Sequence, residues 1–298
     1  MDRDGDQYGR AQGDPNTYTT GCMGGYNVVV VLLSNVGKVS AASAAASLRS
    51  SYSCIKFLLL TGICGGVPMV NGQEMPLGDV VISKTIIQYD LGRKDPDKLR
   101  PKETISDSLG RRAKNIRQRL ETRSASLLDQ IQNREIEKKY NRSQRSREDQ
   151  TYAYPGSSND MLFEADYRHQ HRLSSQCECA NCHEDSVCED SRKLSCDQLG
   201  YEEARLVLRE SLEEKKQLER DGLIKDAQSP WIFIGQFGSG DKVPKSRIDR
   251  DRLAQEHDIL AFEMEGAGIL DELPCIIVKA VCNYAVTRTM TGNTLLPL

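Results

Sequence analysis

Two carboxylates flank a methionine in Phe262-Glu263-Met264-Glu265-Gly266-Ala267-Gly268, and small residues follow at once. Such a segment can hold a carboxylate against a sugar while the chain turns into a helix. Charge-assisted hydrogen bonds to hydroxyls are short and roughly twice as strong as neutral ones, which suits a carboxylate to that task. Downstream, the apolar run Ile276-Ile277-Val278 reads as a buried strand that delivers Asn283 at its end. A polar residue at the carboxyl end of a buried parallel strand is where open α/β sheets place their chemistry. From these segments alone, a surface helix start followed by an ordinary core strand is an equal alternative.

A further strand run, Lys56 to Leu60, empties into Thr61-Gly62-Ile63-Cys64-Gly65-Gly66. Glycine lets a backbone approach a ligand closely and reach φ > 0. Leu77-Gly78-Asp79-Val80 comes next, and far downstream Gly235-Gln236-Phe237-Gly238-Ser239-Gly240-Asp241. Taken in this order with Glu-Met-Glu-Gly and the strand ending at Asn283, the motifs resemble the nucleoside phosphorylase and nucleosidase superfamily. That superfamily includes purine and uridine phosphorylases and methylthioadenosine/S-adenosylhomocysteine nucleosidases. The likeness is strongest to fungal members, where the domain stands alone or forms the N-terminal effector of NOD-like receptors. It covers roughly residues 26–95 and 150–285. It implies an α/β fold, a three-layer α/β/α sandwich on a mixed, mostly parallel sheet.

The resemblance implies cleavage of the N-glycosidic bond of a purine nucleoside or thio-nucleoside. Glu265 matches the glutamate that accepts from the ribose 2′- and 3′-hydroxyls, and Met264 the residue under the sugar. Glu263, Gly62, Gly65, Gly66, Ser239 and Asp241 fall on the other substrate-binding motifs. Asn283 stands where the family usually has an aspartate that protonates the departing base. An asparagine amide donates a hydrogen bond but transfers no proton, and losing a general acid costs about 10²–10⁴ in rate. The exchange shifts preference toward hypoxanthine and guanine nucleosides. Lys279 occupies the place of a family basic residue and reads as structural. Ile63 replaces the serine with which phosphorolytic relatives bind phosphate, which favours water as nucleophile. The N–H groups of Gly65 and Gly66 are left as an anion nest if phosphate is the co-substrate. No cofactor is required. The alternative is a weak or inactive nucleoside-binding module, or an incomplete domain, of a receptor of the NOD-like type.

These residues need elements to position them. Residues 1–25 are polar and rich in Gly and Asp, and are expected to be disordered. Val28 to Leu33 is an apolar β-branched run, expected as a buried strand. Asn35-Val36-Gly37 is a tight turn into an Ala- and Ser-rich helix. Strands are expected at Ile55 to Leu60 and Asp79 to Ser83, with fraying at Gly92 to Pro96. Residues 95–230 read as one long insertion, helical from Ile105 to Tyr140 and from Glu202 to Arg220. Trp231 to Phe237 returns to strand. The domain ends near residue 285, and 286–298 form a short tail. The opening strand and closing helix usual in the family have no counterpart in the sequence.

Within the insertion, Cys177-x-Cys179-x-x-Cys182-His183 and Cys188 have spacings that suit tetrahedral zinc, with His169 and His171 as further donors. Reduced thiols on a loop are the alternative. The net charge of −3 gives no push toward nucleic acid or an anionic membrane. No apolar run spans a bilayer, and Met1 to Asp6 lacks the apolar centre of a signal peptide. A cytoplasmic, reducing setting is expected, with self-association as an open option.

Overall fold

The computed structural model describes residues 3–4, 10–23, 25–94, 99–104, 156–164, 167, 171, 191, 194, 198–242, 244 and 246–285. The expected helix from Ile105 to Tyr140 and the four cysteines 177, 179, 182 and 188 lie outside these residues.

The main sheet holds β4 (Leu58–Gly66), β7 (Val80–Lys94), β8 (Leu99–Thr104), β9 (Ile232–Ser239), β10 (Ile259–Glu263) and β11 (Cys275–Asn283). The pairing order is β11-β4-β10-β9-β7-β8, and β11 also pairs with β7, so the hydrogen-bonded circuit returns to its start. Parallel pairs are β4–β11, β9–β10 and β7–β9, and antiparallel pairs are β4–β10, β7–β11 and β7–β8. The sheet is mixed, as expected, with three parallel and three antiparallel strand pairs. β10 and β11 each lie between one parallel and one antiparallel neighbour.

Ile259–Glu263 is buried along its whole length, as is expected of a strand covered on both faces. Val81, Ile86, Phe237, Ala261 and Ile277 join Ala41 and Ala45 in the principal core. Those alanines belong to α1 (Lys38–Ser51), whose buried Ala41, Ala44, Ala45 and Leu48 form one stripe. Small side chains let α1 sit tightly on α5 (Gly266–Leu270). A Cβ placed on Gly268 would lie 2.1 Å from the Lys38 carbonyl oxygen. The further α-helices among the described residues are α2 (Glu210–Arg220), α3 (Ile224–Ala227) and α4 (Arg247–His257). Glu74 caps α2, accepting from the Glu210 and Ser211 N–H groups at 3.0 and 2.9 Å. This carboxylate satisfies two donors that a helix start leaves open. The 202–220 stretch is therefore only partly α-helical. Glu203–Arg205 is a 3₁₀ turn, and the α-helix begins at Glu210.

Two expectations are corrected at the amino end. Tyr18–Met23 is a strand, β2, and pairs antiparallel with β3 (Tyr26–Val31) in a separate small sheet with β1 (Arg3–Asp4). Residues 1–25 therefore contain structure, and β3 is not a strand of the main sheet. Gly25, at φ +82°, supplies the turn that a two-residue hairpin needs. Tyr18 is buried, its hydroxyl 2.6 Å from Asp14. A third correction concerns β7, which runs through Lys94 instead of fraying at Gly92, because β8 folds back on it. A small hairpin pairs β5 (Met69–Val70) with β6 (Gln73–Glu74).

Candidate functional site

β10 and β9 end side by side, with Glu263 in register with Ser239. Beyond Glu263 the chain passes Met264 and Glu265 and enters α5. The Glu263 side chain is fully buried and its carboxylate folds back on its own chain. It accepts from the N–H groups of Glu265 at 3.0 Å and Gly266 at 2.9 Å. A Cβ on Gly266 would fall 2.9 Å from that carboxylate and 2.4 Å from Ile277, which explains the glycine.

Lys279 reaches this point from β11. Its ammonium lies 3.0 Å from Glu263 Oε2 and 2.7 Å from Glu265 Oε2, with only 4% of the side chain exposed. Burial alone would push a lysine down, but Glu263 and then Glu265 hold it above its usual value. Burial likewise opposes ionisation of Glu265, and the Lys279 ammonium outweighs it and holds that carboxyl below the usual range. The cluster carries two negative charges and one positive. Glu265 Oε1 also accepts from Gly37 N–H at 3.3 Å, at the start of α1. Sequence reasoning gave Lys279 a structural role only. Its signal was a lysine inside an apolar strand, which is rarely buried unless paired.

Asp241 lies beside the same helix start. It accepts from Lys38 N–H at 3.0 Å, and Asp90 takes the Lys38 ammonium at 2.6 Å. Ser239 is fully buried and accepts from Ala267 N–H at 3.0 Å, so it caps α5 rather than facing open space. The starts of α1 and α5 thus bring Ser239, Asp241, Glu263 and Glu265 together. Gly62 joins them through Lys279. A Cβ on Gly62 would meet Lys279 Cε at 3.8 Å, and its φ of +154° favours glycine. Met264 is half-buried between the two glutamates.

Asn283, Gly65 and Gly66 form a second group. Asn283 Oδ1 accepts from Ala285 N–H at 2.8 Å, and its amide donates to Cys282 Sγ at 3.4 Å. Among the described residues no hydrogen bond joins Asn283 to the Glu263–Lys279–Glu265 cluster. Gly65 and Gly66 are buried strand residues without positive φ. Their expected role as an anion nest is corrected, since a nest needs alternating helical signs. Glycine is required there by packing. An added Cβ would lie 2.7 Å from Ala285 Cβ at one and 2.6 Å from Val281 at the other. A groove of about 460 Å³ lined by Val67, Met69, Phe163, Arg250 and Ile259 contains none of these candidate residues.

Comparisons with known proteins bear out the resemblance read from the motifs. Residues 6–141 match the model of the phosphorylase superfamily. A nucleotide-binding leucine-rich repeat (NLR)-like protein of Hyaloscypha variabilis is 27% identical over 278 residues, 91% of this chain. A 5′-methylthioadenosine/S-adenosylhomocysteine nucleosidase of Mycobacterium bovis is 32% identical over 73 residues, 24% of this chain. The matched stretches span about a quarter of those relatives' own lengths, 23% and 27%. Among solved structures, a futalosine hydrolase mutant of Helicobacter pylori aligns with 91% of this chain and 74% of its own, at 14% identity and TM-score 0.41. A 5′-methylthioadenosine/S-adenosylhomocysteine nucleosidase of the same organism aligns with 91% and 73%, at 13% identity and TM-score 0.42.

Proposed function

We propose that this phosphorylase-superfamily chain binds a purine nucleoside or thio-nucleoside at the ends of β10 and β11 and cleaves its N-glycosidic bond with water. The observation that carries the reading is the buried Glu263–Lys279–Glu265 cluster, 3.0 and 2.7 Å across. Glu265 stays ionised beside Lys279, and its oxygens have lone pairs left for two ribose hydroxyls. Met264 packs under the sugar. Glu263 holds Lys279 and the turn into α5. As the glycosidic bond breaks, the ribosyl group gains positive charge, which the excess negative charge of the cluster stabilises. Asn283 donates its amide to the departing purine. A donor suits the 6-oxo group of hypoxanthine or guanine better than the amino group of adenine. The three-layer arrangement of the family goes with this reading. Release of free base from a nucleoside panel, with and without phosphate, tests it. Release that needs no phosphate is expected, and release only with phosphate would replace hydrolysis by phosphorolysis.

One observation favours a second reading, a nucleoside-binding module without turnover. The Asn283 carbonyl is committed to Ala285 N–H, and its amide transfers no proton to a base. On this reading the chain is one part of a longer protein of the NLR-like kind. Nucleoside binding by calorimetry without base release would select it.

A cytoplasmic setting and self-association accompany both readings. Among the described residues no helix is long and apolar enough to cross a membrane. Cys177, Cys179, Cys182 and Cys188 are proposed to share one structural zinc ion. In support, His171, six residues before Cys177 in the sequence, is buried with neither ring nitrogen hydrogen-bonded among the described residues.

A further inference from the structure

A buried polar cluster outside the glutamate–lysine site fastens the end of β11 to the segment before β9. The Tyr284 side chain is fully buried. Its hydroxyl lies 2.8 and 2.9 Å from the two carboxylate oxygens of Asp160 and 2.5 Å from Arg209 Nη1. A hydroxyl has one proton, so it donates to Asp160 and accepts from Arg209. Arg209 Nη2 donates to Asp160 Oδ1 at 2.8 Å and to the Asp160 carbonyl at 2.7 Å. Asp160 Oδ2 also accepts from Leu77 N–H at 2.9 Å, and Arg250 Nη1 donates to the Tyr284 carbonyl at 2.8 Å. A buried ion pair whose spare lone pairs are met by further bonds holds a fixed geometry.

The chain neighbours of Tyr284 are Asn283 itself and Ala285. Ala285 adopts φ +50°, a left-handed value that is strained for alanine. Such a residue persists where its surroundings over-determine it. Here Gly65 leaves room for it, Asn283 Oδ1 accepts its N–H, and Tyr284 is clamped beside it. Only the oxygen of the Asn283 amide can accept from Ala285 N–H, so the turn dictates which way the amide points. The NH₂ group keeps one proton for Cys282 Sγ and presents the other.

We propose that Tyr284, clamped by Asp160 and Arg209, is a positioning residue for Asn283, so that the segment carrying Asp160 and Arg209 completes the candidate site from outside the main sheet. The proposal rests on the reading that Asn283 meets the base. Its structural half stands apart from that reading, because the amide of Asn283 can be observed directly.

The experiment uses the full chain labelled with ¹⁵N at asparagine, the Asn283 side-chain signals being identified by their loss in Asn283→Asp. Tyr284→Phe and Asp160→Asn should each move the Asn283 NH₂ pair toward the position of a solvent-exposed asparagine. Leu199→Ala removes a fully buried apolar side chain that is not a member of the hydrogen-bonded clamp. It should lower the unfolding temperature and leave that pair in place. Inosine titrated into the wild type and Tyr284→Phe should bind roughly tenfold more weakly to the variant, the equivalent of one hydrogen bond. An Asn283 pair unmoved in both clamp variants, or moved equally by Leu199→Ala, would overturn the proposal. A pair that moves as expected in a protein that binds no nucleoside would keep the positioning and reject the nucleoside reading.

Discussion

Lys279 and Glu265 are paired at 2.7 Å, one from the middle of β11 and the other from the turn after β10. The ammonium is shared with Glu263 at 3.0 Å, so the candidate sugar-binding carboxylate is held by the core of the sheet. Its orientation is set before any ligand arrives, which spares the ligand the cost of ordering it.

Lys279→Met leaves two carboxylates without their counter-charge. Removing one partner of a buried ion pair typically costs about 3–5 kcal/mol. Chemical denaturation at neutral pH should show a loss of that order. The sign with pH follows from Glu265, whose carboxyl is depressed below its ordinary 4.5. In the wild type its contribution is complete above that ordinary value and fades as pH falls through the lower folded one. In the variant the Lys279 charge is gone and burial alone acts on the Glu265 carboxyl, raising it, so the gap between the two proteins should narrow in acid. A gap that stays constant from neutral pH down to about pH 4 would contradict the pairing.

Gly65→Ala puts a Cβ 2.7 Å from Ala285 Cβ and 2.9 Å from Ala285 N. Backbone cannot swing aside as a long side chain can, so overpacking of about 1–3 kcal/mol is expected. The thermal midpoint of the variant reports it. An unchanged midpoint would mean that the Asn283–Ala285 turn does not sit against β4.

Much of the core sheet was legible from Ile55–Leu60, Asp79–Ser83, Trp231–Phe237 and Ile276–Val278, because buried strands are written as apolar β-branched runs. The Glu-Met-Glu-Gly segment was legible because charge beside small residues is conspicuous. The β2 strand was not, since Tyr18-Thr19-Thr20-Gly21-Cys22-Met23 has no apolar run. Nor was the glycine pair read correctly. Gly65 and Gly66 looked like a ligand turn, yet they are glycine because Ala285 and Val281 fill the space, contacts 220 and 215 residues distant in sequence that no local pattern encodes. Tyr284, Asp160 and Arg209 escaped for the same reason, since each is ordinary alone and meets the others only in the fold.

Asp79 supplies a pH test of the Leu-Gly-Asp-Val turn. It is fully buried, one oxygen accepts from Trp231 N–H at 3.0 Å, and the other has no hydrogen bond. Burial raises its carboxyl from 3.8 to about 6, against the pull of Lys215, 3.8 Å away. A raised carboxyl binds more protons folded than unfolded, so this group's contribution to stability falls as pH rises from about 4 to 6. Asp79→Asn should therefore gain stability relative to the wild type between pH 4 and pH 7, on the order of 2 kcal/mol. A relative stability flat across that window would show that Asp79 is not desolvated.

The zinc proposal for Cys177, Cys179, Cys182 and Cys188 is read by elemental analysis of protein purified without added metal. One zinc per chain is expected, lost together with reactivity protection of those thiols when a chelator is added. A content near zero, with all ten cysteines freely titratable, would remove it.

Base release, followed by chromatography from inosine, guanosine, adenosine and methylthioadenosine, tests the central claim most directly when wild type and Glu265→Ala are run side by side. The site described predicts slow release of free base by the wild type without phosphate, fastest from the 6-oxopurine nucleosides. Glu265→Ala should reduce it about 100-fold or more, as expected for two charge-assisted hydrogen bonds, with Lys279 still held by Glu263. Equal release by the two proteins, both folded by circular dichroism, would contradict the assignment of the Glu265 carboxylate to the sugar.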